Sequence, residues 1–236
     1  TMQAWAAFPQ QRGNLDLSLR RWAELRARWP DDPNIAVASA RASIEADRID
    51  EAESAIASAL ASAPGDRWAL SVNVDLAMRR SDWRTALDRS ADLRMRYPDM
   101  PHDYAMSARA FAALGEHANA DTVLQAGFER FPGDRTIAYG WASAPRETGA
   151  WRDSAERWLR LEAVYPGDPR PSLEAAEAFE RAGDPIRAAA ALDIAVAASP
   201  GARDLLIRRA RLAARAGDHE GAARHWARCR ERFPDE

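Results

Sequence analysis

The hydrophobic and polar positions of this chain repeat with a period of 34 residues. Small side chains recur at one position of every unit and again twelve residues later. Small residues at matched places allow two helix axes to approach closely, so the pattern predicts one pair of packed helices in each unit. A proline ends every unit in the same register. These residues are Pro30, Pro64, Pro98, Pro132, Pro166, Pro200 and Pro234.

Turn residues divide each unit into two predicted helices. Glycine occupies the turn in five units, and Asp47 and Ser81 take its place in the other two. Glycine there favours the left-handed backbone that ends a helix. The following residue is often a good N-cap for the second helix. The predicted caps are Asn14, Asp82, Asp184 and Asp218.

With these features the whole chain resembles the tetratricopeptide repeat family. The resemblance implies an all-α fold, an α-solenoid that winds as a right-handed superhelix. About fourteen helices would form seven antiparallel pairs, a helix A and a helix B in each repeat. The unbroken register predicts a single array over 1–236. The repeats are 1–32, 33–66, 67–100, 101–134, 135–168, 169–202 and 203–236.

Two prolines conflict with a regular helix A. Pro9 and Pro145 occupy the same interior position of repeats one and five. Proline lacks the N–H that would bond the carbonyl four residues earlier, which here belongs to Trp5 or Trp141. We therefore expect both helices to kink or to end early, and we expect a shaped pocket beside Pro145.

Composition narrows the class of partner. The chain has 33 basic and 36 acidic residues, a net charge of −3, which predicts neither nucleic-acid binding nor attraction to an anionic membrane. No apolar run is long enough for membrane insertion, and no signal peptide is visible, which suggests a cytoplasmic protein. The lone Cys229 cannot form an intrachain disulfide.

The ends of the chain nearly coincide with repeat boundaries. We therefore expect a piece of a longer protein, with a covalently attached domain as one possible partner. Trp226 and Phe233 close the last repeat with no further helix A after them, so an exposed apolar surface is expected there.

Motifs for catalysis are absent from the sequence. It contains no nucleophile elbow, phosphate loop or dinucleotide glycine pattern, and its four histidines are scattered. We therefore predict no catalytic residue, no metal site and no cofactor. The nine tryptophans fall mostly at packing positions of helix B, but Trp68 begins a helix A.

Family geometry implies that helix A lines a binding groove. The expected surface has an apolar strip with charges beside it, an acidic patch in repeat six and a basic patch in repeat seven. An alternative is that these two patches neutralise each other. The candidate ligand-contacting residues are Trp68, Val72, Asp75, Met106, Arg109, Tyr139, Arg146, Glu174, Glu177, Arg208 and Arg211.

The leading interpretation is a non-catalytic scaffold that binds a peptide or a partner domain in this groove. An alternative is the accessory region of a larger bacterial glycan-modifying enzyme, of glycosyltransferase or sulfotransferase type, or of a polysaccharide-biosynthesis protein. The string from Trp151 to Trp158 resembles repeats of that kind. A third option is self-assembly through the exposed ends.

Overall fold

A computed structural model describes residues 2–233, and this part of the chain contains only helices and turns. The helices are α1 Met2–Gln11, α2 Leu15–Arg28, α3 Pro33–Glu45, α4 Ile49–Ser62, α5 Arg67–Arg79, α6 Trp83–Arg96, α7 Pro101–Ala113, α8 His117–Arg130, α9 Arg135–Ser143, α10 Trp151–Arg160, α11 Pro169–Arg181, α12 Pro185–Ala198, α13 Arg203–Arg215 and α14 His219–Arg232. Fourteen helices among the described residues match the seven predicted pairs, and together they hold about three quarters of the chain.

The helices group into two compact units, one covering 1–123 and the other 124–236. Within the first unit each helix from α1 to α7 packs against the next, and helix A of one repeat also contacts helix A of the following repeat, as α3 does with α5. In the second unit the same succession runs from α9 to α14. Each repeat buries its apolar face against its neighbours, as expected for a solenoid.

Helix starts follow the predicted capping chemistry. The side chains of Asn14, Asp82, Asp184 and Asp218 each accept a hydrogen bond from a backbone N–H in the first turn of helix B. A second set of caps, not predicted above, starts helix A in four repeats. These caps are Asp32, Asp66, Asp134 and Asp168.

The turn between helix A and helix B has a left-handed residue in every repeat. Glycine supplies it in five repeats, and Asp47 and Ser81 adopt φ of 58° and 57° in the other two. An L-residue with a Cβ pays a steric cost in this region, although Asp reduces it by local hydrogen bonding. The backbone conformation is therefore set by the repeat and is imposed on whichever residue occupies the turn.

The small residues lie where the two helices of a repeat meet. Ala40 and Ala52 of the second repeat are both fully buried, as are Ala176 and Ala188 of the sixth. Where serine replaces alanine on helix B, its hydroxyl donates to the facing carbonyl of helix A. Ser154, for example, bonds the Ala142 oxygen at 2.7 Å.

Repeat five is the irregular repeat. Its helix A ends at Ser143, and a 3₁₀ helix, Ala144–Thr148, replaces the last turn, as the position of Pro145 predicts. Its helix B is also short and ends at Arg160. In repeat one the prediction of an early end was wrong, because α1 remains helical through Pro9 to Gln11.

An arginine of helix B bonds each carbonyl that a proline leaves without its helical N–H. Arg21 donates to the Trp5 oxygen at 2.6 Å, and Arg157 donates to the Trp141 oxygen at 3.1 Å. Arg89, at the equivalent place in repeat three, donates to the Asn73 oxygen at 2.8 Å although no proline is present. The arginine contact thus recurs in repeats one, three and five, and beside Pro9 and Pro145 it supplies the donor that the proline lacks.

Packing of the tryptophans depends on their repeat. Trp22 and Trp158 are 3% and 1% exposed, whereas Trp226, at the equivalent place in the last repeat, is 38% exposed. Phe233 is half-buried against the cluster around Leu206. The expected exposure at the last repeat is therefore confirmed for Trp226 and only in part for Phe233.

Replacing Ser81 by glycine should stabilise the chain. The variant Ser81→Gly keeps the left-handed turn and removes the Cβ that makes it costly, so the free energy of unfolding should rise by about 0.5–1 kcal/mol. Urea denaturation followed by circular dichroism measures this change. Ser81→Ala is the matched control and should not be stabilised. A loss of stability in Ser81→Gly would contradict the assigned turn geometry.

Removing the carbonyl-bonding arginine should cost more beside a proline. Arg157→Met leaves the Trp141 carbonyl without a donor, whereas Arg89→Met leaves the Asn73 carbonyl bonded within the regular helix α5. We expect Arg157→Met to lower the free energy of unfolding by about 1–2 kcal/mol more than Arg89→Met. Chemical denaturation of both variants tests this difference.

A double-mutant cycle provides the control for that comparison. Pro145→Ala restores an N–H four residues after Trp141, so the cost of Arg157→Met should shrink in that background. Equal costs with and without the proline would show that Arg157 acts through its other contacts, which include an ion pair with Asp153 at 3.2 Å.

Candidate functional site

Three consecutive A helices of the first unit bring an exposed tryptophan together with charged residues. Trp68 is the second residue of α5 and is 45% exposed. The guanidinium of Arg41 on α3 lies 5.4 Å from its ring centre, and that of Arg67 lies 4.9 Å away. His102 at the start of α7 pairs with Asp75 of α5, with 3.5 Å between Nε2 and Oδ1. We call these five residues the Trp68 patch.

The apolar residues predicted beside Trp68 have a different environment. Val72 is fully buried in the cluster with Ala69 and Leu76, and Met106 lies in the cluster with Met78. Both are therefore part of the hydrophobic core. The predicted apolar strip is reduced in the first unit to the indole of Trp68, since the neighbouring apolar side chains support the surface from below.

Next to the patch is a buried carboxylate without a hydrogen-bond partner. Asp103 of α7 has no exposed surface, and neither of its oxygens is bonded. Burial raises the pKa of Asp103 to about 6, although His102 and Arg94 oppose the rise. Burial in turn lowers the pKa of Arg94. A carboxylate in this setting titrates in a range where ordinary carboxylates do not.

A serine of helix B makes room for the Arg94 guanidinium, which lies close to Asp103. The helix B position that holds a buried tryptophan in repeats one and five is Ser90 in repeat three. Its hydroxyl lies 2.7 Å from that of Ser107, which also accepts a hydrogen bond from Arg94. The small side chain of Ser90 leaves space between α6 and α7 for the Arg94 guanidinium. The sequence pattern alone did not indicate that serine in place of tryptophan has this effect.

In the second unit, Tyr139 lies in an aromatic cluster and is only half exposed. Its ring centre is 5.0 Å from that of Trp158 and 5.7 Å from that of Tyr165. Its hydroxyl donates to Asp168 at 3.1 Å, and the Arg170 guanidinium lies 4.7 Å from its ring. Burial, with the Asp168 hydrogen bond, raises the pKa of Tyr139. Tyr139 thus helps to connect repeats five and six.

Arg146 is an internal connection between repeats five and six. The 3₁₀ helix directs its guanidinium to Ser154 Oγ at 3.1 Å, to Glu174 Oε2 at 2.9 Å and to the Glu174 carbonyl at 3.0 Å. Pro145 itself is buried, and the three cavities of this unit beside Pro185, Trp226 and Trp151 are not lined by it. The distortion therefore positions Arg146, and the structure gives no support to the expected pocket beside Pro145.

The acidic and basic patches neutralise each other in part. Glu180 accepts a hydrogen bond from Arg208 at 3.1 Å and also pairs with Arg215. In the described part of the chain, Glu177 and Arg211 form no ion pair, and Arg211 is exposed. A cavity of about 660 Å³, lined in part by Arg211, Ile207 and Trp226, lies beside them.

Equivalent places connect successive A helices in both units, but with different chemistry. In the first unit Ile44 packs against the cluster of Val72, and Met78 shares a cluster with Met106. In the second unit the same two places hold Arg146 and Glu174, and then Glu180 and Arg208. The candidate residues at these two places therefore connect one repeat to the next in both units.

Metal-binding clusters and membrane-spanning helices are both absent from residues 2–233. No group of three or more His, Cys, Asp or Glu side chains could hold a metal ion there. Within the same residues, no helix has both the length and the apolar character needed to cross a membrane.

Comparisons with known proteins agree with the repeat architecture. The family model described as tetratricopeptide repeat matches residues 204–236, in the seventh repeat. No curated protein matches the chain in sequence. The C-terminal part of a tetratricopeptide repeat-containing protein from Cytophaga hutchinsonii is 15% identical, with a TM-score of 0.75 over 99% of this chain and 96% of that one.

Two further structures share the fold at similar identity. A tetratricopeptide repeat protein from Parabacteroides merdae is 15% identical, with a TM-score of 0.62 over 100% of this chain and 93% of that one. YrrB, described as a tetratricopeptide repeat protein with an unusual peptide-binding site, is 13% identical, with a TM-score of 0.56 over 80% of this chain and 97% of that one. The described residues therefore have the fold of tetratricopeptide repeat proteins, and the family model matches the last repeat.

The buried carboxylate of Asp103 should make stability depend on pH. The folded chain retains this proton up to about pH 6, whereas the unfolded chain releases it near pH 4, so the free energy of unfolding should fall as pH rises from about 4 to about 6. In Asp103→Asn this contribution is absent. The variant should therefore gain stability relative to the parent over that range, by up to about 3 kcal/mol.

Urea denaturation at a series of pH values measures the difference. A second window, above pH 6.5, belongs to His102, whose pKa is raised chiefly by its hydrogen bond to Asp75. His102→Gln is the control that identifies it. Parallel curves for the parent and Asp103→Asn between pH 4 and 6 would exclude a raised pKa for Asp103.

Proposed function

We propose that this chain is a non-catalytic scaffold that holds a peptide segment or a partner domain on the face formed by its A helices. The observation that carries the proposal is Trp68. Its indole is exposed on helix A, whereas Trp22 and Trp158 of helix B are buried in the core. Exposed tryptophan is costly in water and is a frequent anchor of binding hot spots.

Charged residues on the A helices are a second observation in favour of the proposal. Asp75 and Arg109 are at the equivalent place of successive A helices in the first unit, and Glu177 and Arg211 are at that place in the second. Arg109 is exposed, and the hydrogen bond its guanidinium donates among the described residues goes to the Met106 sulfur, at 3.8 Å. Asp75 and Arg109, in the same unit as the aromatic anchor Trp68, favour fast association and a defined register of the partner.

The fold is compatible with this role. Solenoids of helix pairs present extended surfaces built from the same position of each repeat. YrrB, which shares the fold, is described as having a peptide-binding site. Five of the residues predicted from the sequence are proposed to contact the partner directly: Trp68, Asp75, Arg109, Glu177 and Arg211. The other six support these contacts structurally: Val72, Met106, Tyr139, Arg146, Glu174 and Arg208.

The enzyme-associated alternative rests on the string from Trp151 to Trp158. In α10 this string buries Ser154, Ala155 and Trp158, and Ser154 bonds the Ala142 carbonyl. Packing therefore accounts for these residues. No observation on this surface favours a second function.

Selection from a random peptide library displayed on phage tests the proposal. The chain should enrich peptides, and Trp68→Ala should weaken the binding of the enriched peptides about thirtyfold, the value for losing an aromatic anchor of about 2 kcal/mol. Arg109→Glu should also alter affinity, with a smaller effect. Fluorescence anisotropy with the synthesised peptides measures both changes.

Met95→Ala is the matched control. Met95 is an apolar side chain on helix B that is 77% exposed, so its removal should leave affinity unchanged. If no peptide is enriched, or if Met95→Ala weakens binding while Trp68→Ala does not, the helix A face is not the binding surface.

A further inference from the structure

We propose that the Trp68 patch binds an acidic segment of the partner and holds it more tightly as the pH falls. This inference rests on the proposed function, since it names the chemistry of the segment that the scaffold takes. It is carried by the arrangement of charges on α3, α5 and α7 around one exposed indole.

Positively charged groups of the chain itself already lie beside the tryptophan ring. Two guanidinium groups, those of Arg41 and Arg67, lie close to the ring of Trp68, as cation–π contacts require. A lysine or arginine of a partner would meet repulsion from both of them. A carboxylate would instead find N–H donors beside an apolar ring. The patch therefore selects an acidic ligand and disfavours a basic one.

Arg41 is the group with free donors. It is exposed, and among the described residues no carboxylate lies within ion-pair distance of it. The carboxylates of this region are already engaged, because Asp75 of the patch pairs with His102 at 3.5 Å and the neighbouring Asp99 pairs with Arg67 at 3.6 Å. A guanidinium–carboxylate contact with the partner is thus the interaction that the chain leaves open at this place.

Two neighbouring groups change charge in the range between mildly acidic and mildly basic pH. His102 faces Asp75 of α5 and Arg41 of α3, with Asp103 beside it on α7, and its pKa is raised chiefly by the Asp75 hydrogen bond. Asp103 faces Arg94 of α6 together with Asp75 and Arg67 of α5, and burial raises its pKa to about 6.

Both groups act in the same direction on an acidic ligand. Below about pH 6, His102 with its raised pKa is positive and Asp103 is mostly neutral; as the pH rises, Asp103 becomes negative first and His102 then loses its proton. On acidification, His102 of the patch and the adjoining Asp103 together therefore add up to two positive charges. Glutamate side chains of a ligand have an ordinary pKa near 4.3 and stay ionised over most of this range. Attraction to them rises accordingly.

The probe is a ten-residue peptide of alternating glutamate and alanine with both ends blocked. Its binding is followed through the indole N–H signal of Trp68 in ¹⁵N-labelled protein, identified as the signal missing from Trp68→Phe. We expect saturable binding at pH 5.5 that is roughly three- to tenfold tighter than at pH 8.5, the range for two nearby charges in a partly solvated setting. Matched peptides with glutamine or lysine in place of glutamate should not shift the signal.

Variants assign the effect to particular residues. Arg41→Gln should weaken binding of the glutamate peptide at both pH values, whereas Arg20→Gln, an exposed arginine of helix B in the same unit, should not. His102→Gln and Asp103→Asn should each reduce the ratio of affinities between pH 5.5 and 8.5. Denaturation curves at both pH values show whether each variant is folded.

Several results would overturn the inference while leaving the proposed function intact. These are library peptides that bind at Trp68 but are not enriched in acidic residues, equal binding of the glutamine peptide, or a glutamate-peptide affinity that is the same at both pH values. Tighter binding of a ten-residue thymidine oligonucleotide than of the glutamate peptide would also overturn it, because the patch would then be a general polyanion surface. Failure of the library selection itself would instead remove the proposed function.

Discussion

The close approach of the two helices within each repeat is the constraint on which the rest of this structure depends. Buried small residues such as Ala40 and Ala52 allow it. When the axes are this close, a larger side chain would push the pair apart and shift every residue that points to the next repeat. Serine is accepted on helix B because its hydroxyl bonds the facing carbonyl, as Ser154 bonds that of Ala142. Because this contact recurs in every repeat, the A helices are placed alike, and a residue's position in its repeat predicts which side of helix A it occupies.

The contact between successive A helices is less constrained, and the chain uses two kinds of chemistry there. In the first unit it is apolar, with Met78 and Met106 in one buried cluster. In the second unit Arg146 reaches Glu174 with several hydrogen bonds. A partly buried pair of this kind is stabilising when its hydrogen bonds are satisfied, and here the Glu174 carbonyl and Ser154 complete the set. The 3₁₀ turn forced by Pro145 therefore has a structural use, because it places the guanidinium among these acceptors.

The contact within a repeat is tightly constrained and the contact between successive A helices is not, and this difference decides how much could be predicted from the sequence. The helix pairs, the N-caps from Asn14 to Asp218 and the left-handed turns were predicted because each depends on local backbone chemistry and repeats many times. The prediction for Pro9 was half right, since the freed carbonyl was identified but its donor, Arg21, is sixteen residues away in another helix. The candidate site was the least predictable part. Whether a residue such as Val72 is exposed depends on how the neighbouring helices cover it, which position in a repeat alone does not determine.

Asp103 shows how a single departure from the repeat changes the chemistry of a surface. Ser90 replaces the tryptophan that fills the equivalent space in repeats one and five, and Arg94 and Ser107 meet in the space it leaves. The carboxylate that remains is buried without a hydrogen bond, which a stable core normally avoids. Its cost is smallest when it is protonated, and His102, whose pKa is raised, is also charged wherever Asp103 is protonated. The same substitution that weakens the core at high pH therefore makes the adjoining Trp68 patch most positive at low pH, so the stability of this region and its attraction for an acidic partner should rise together.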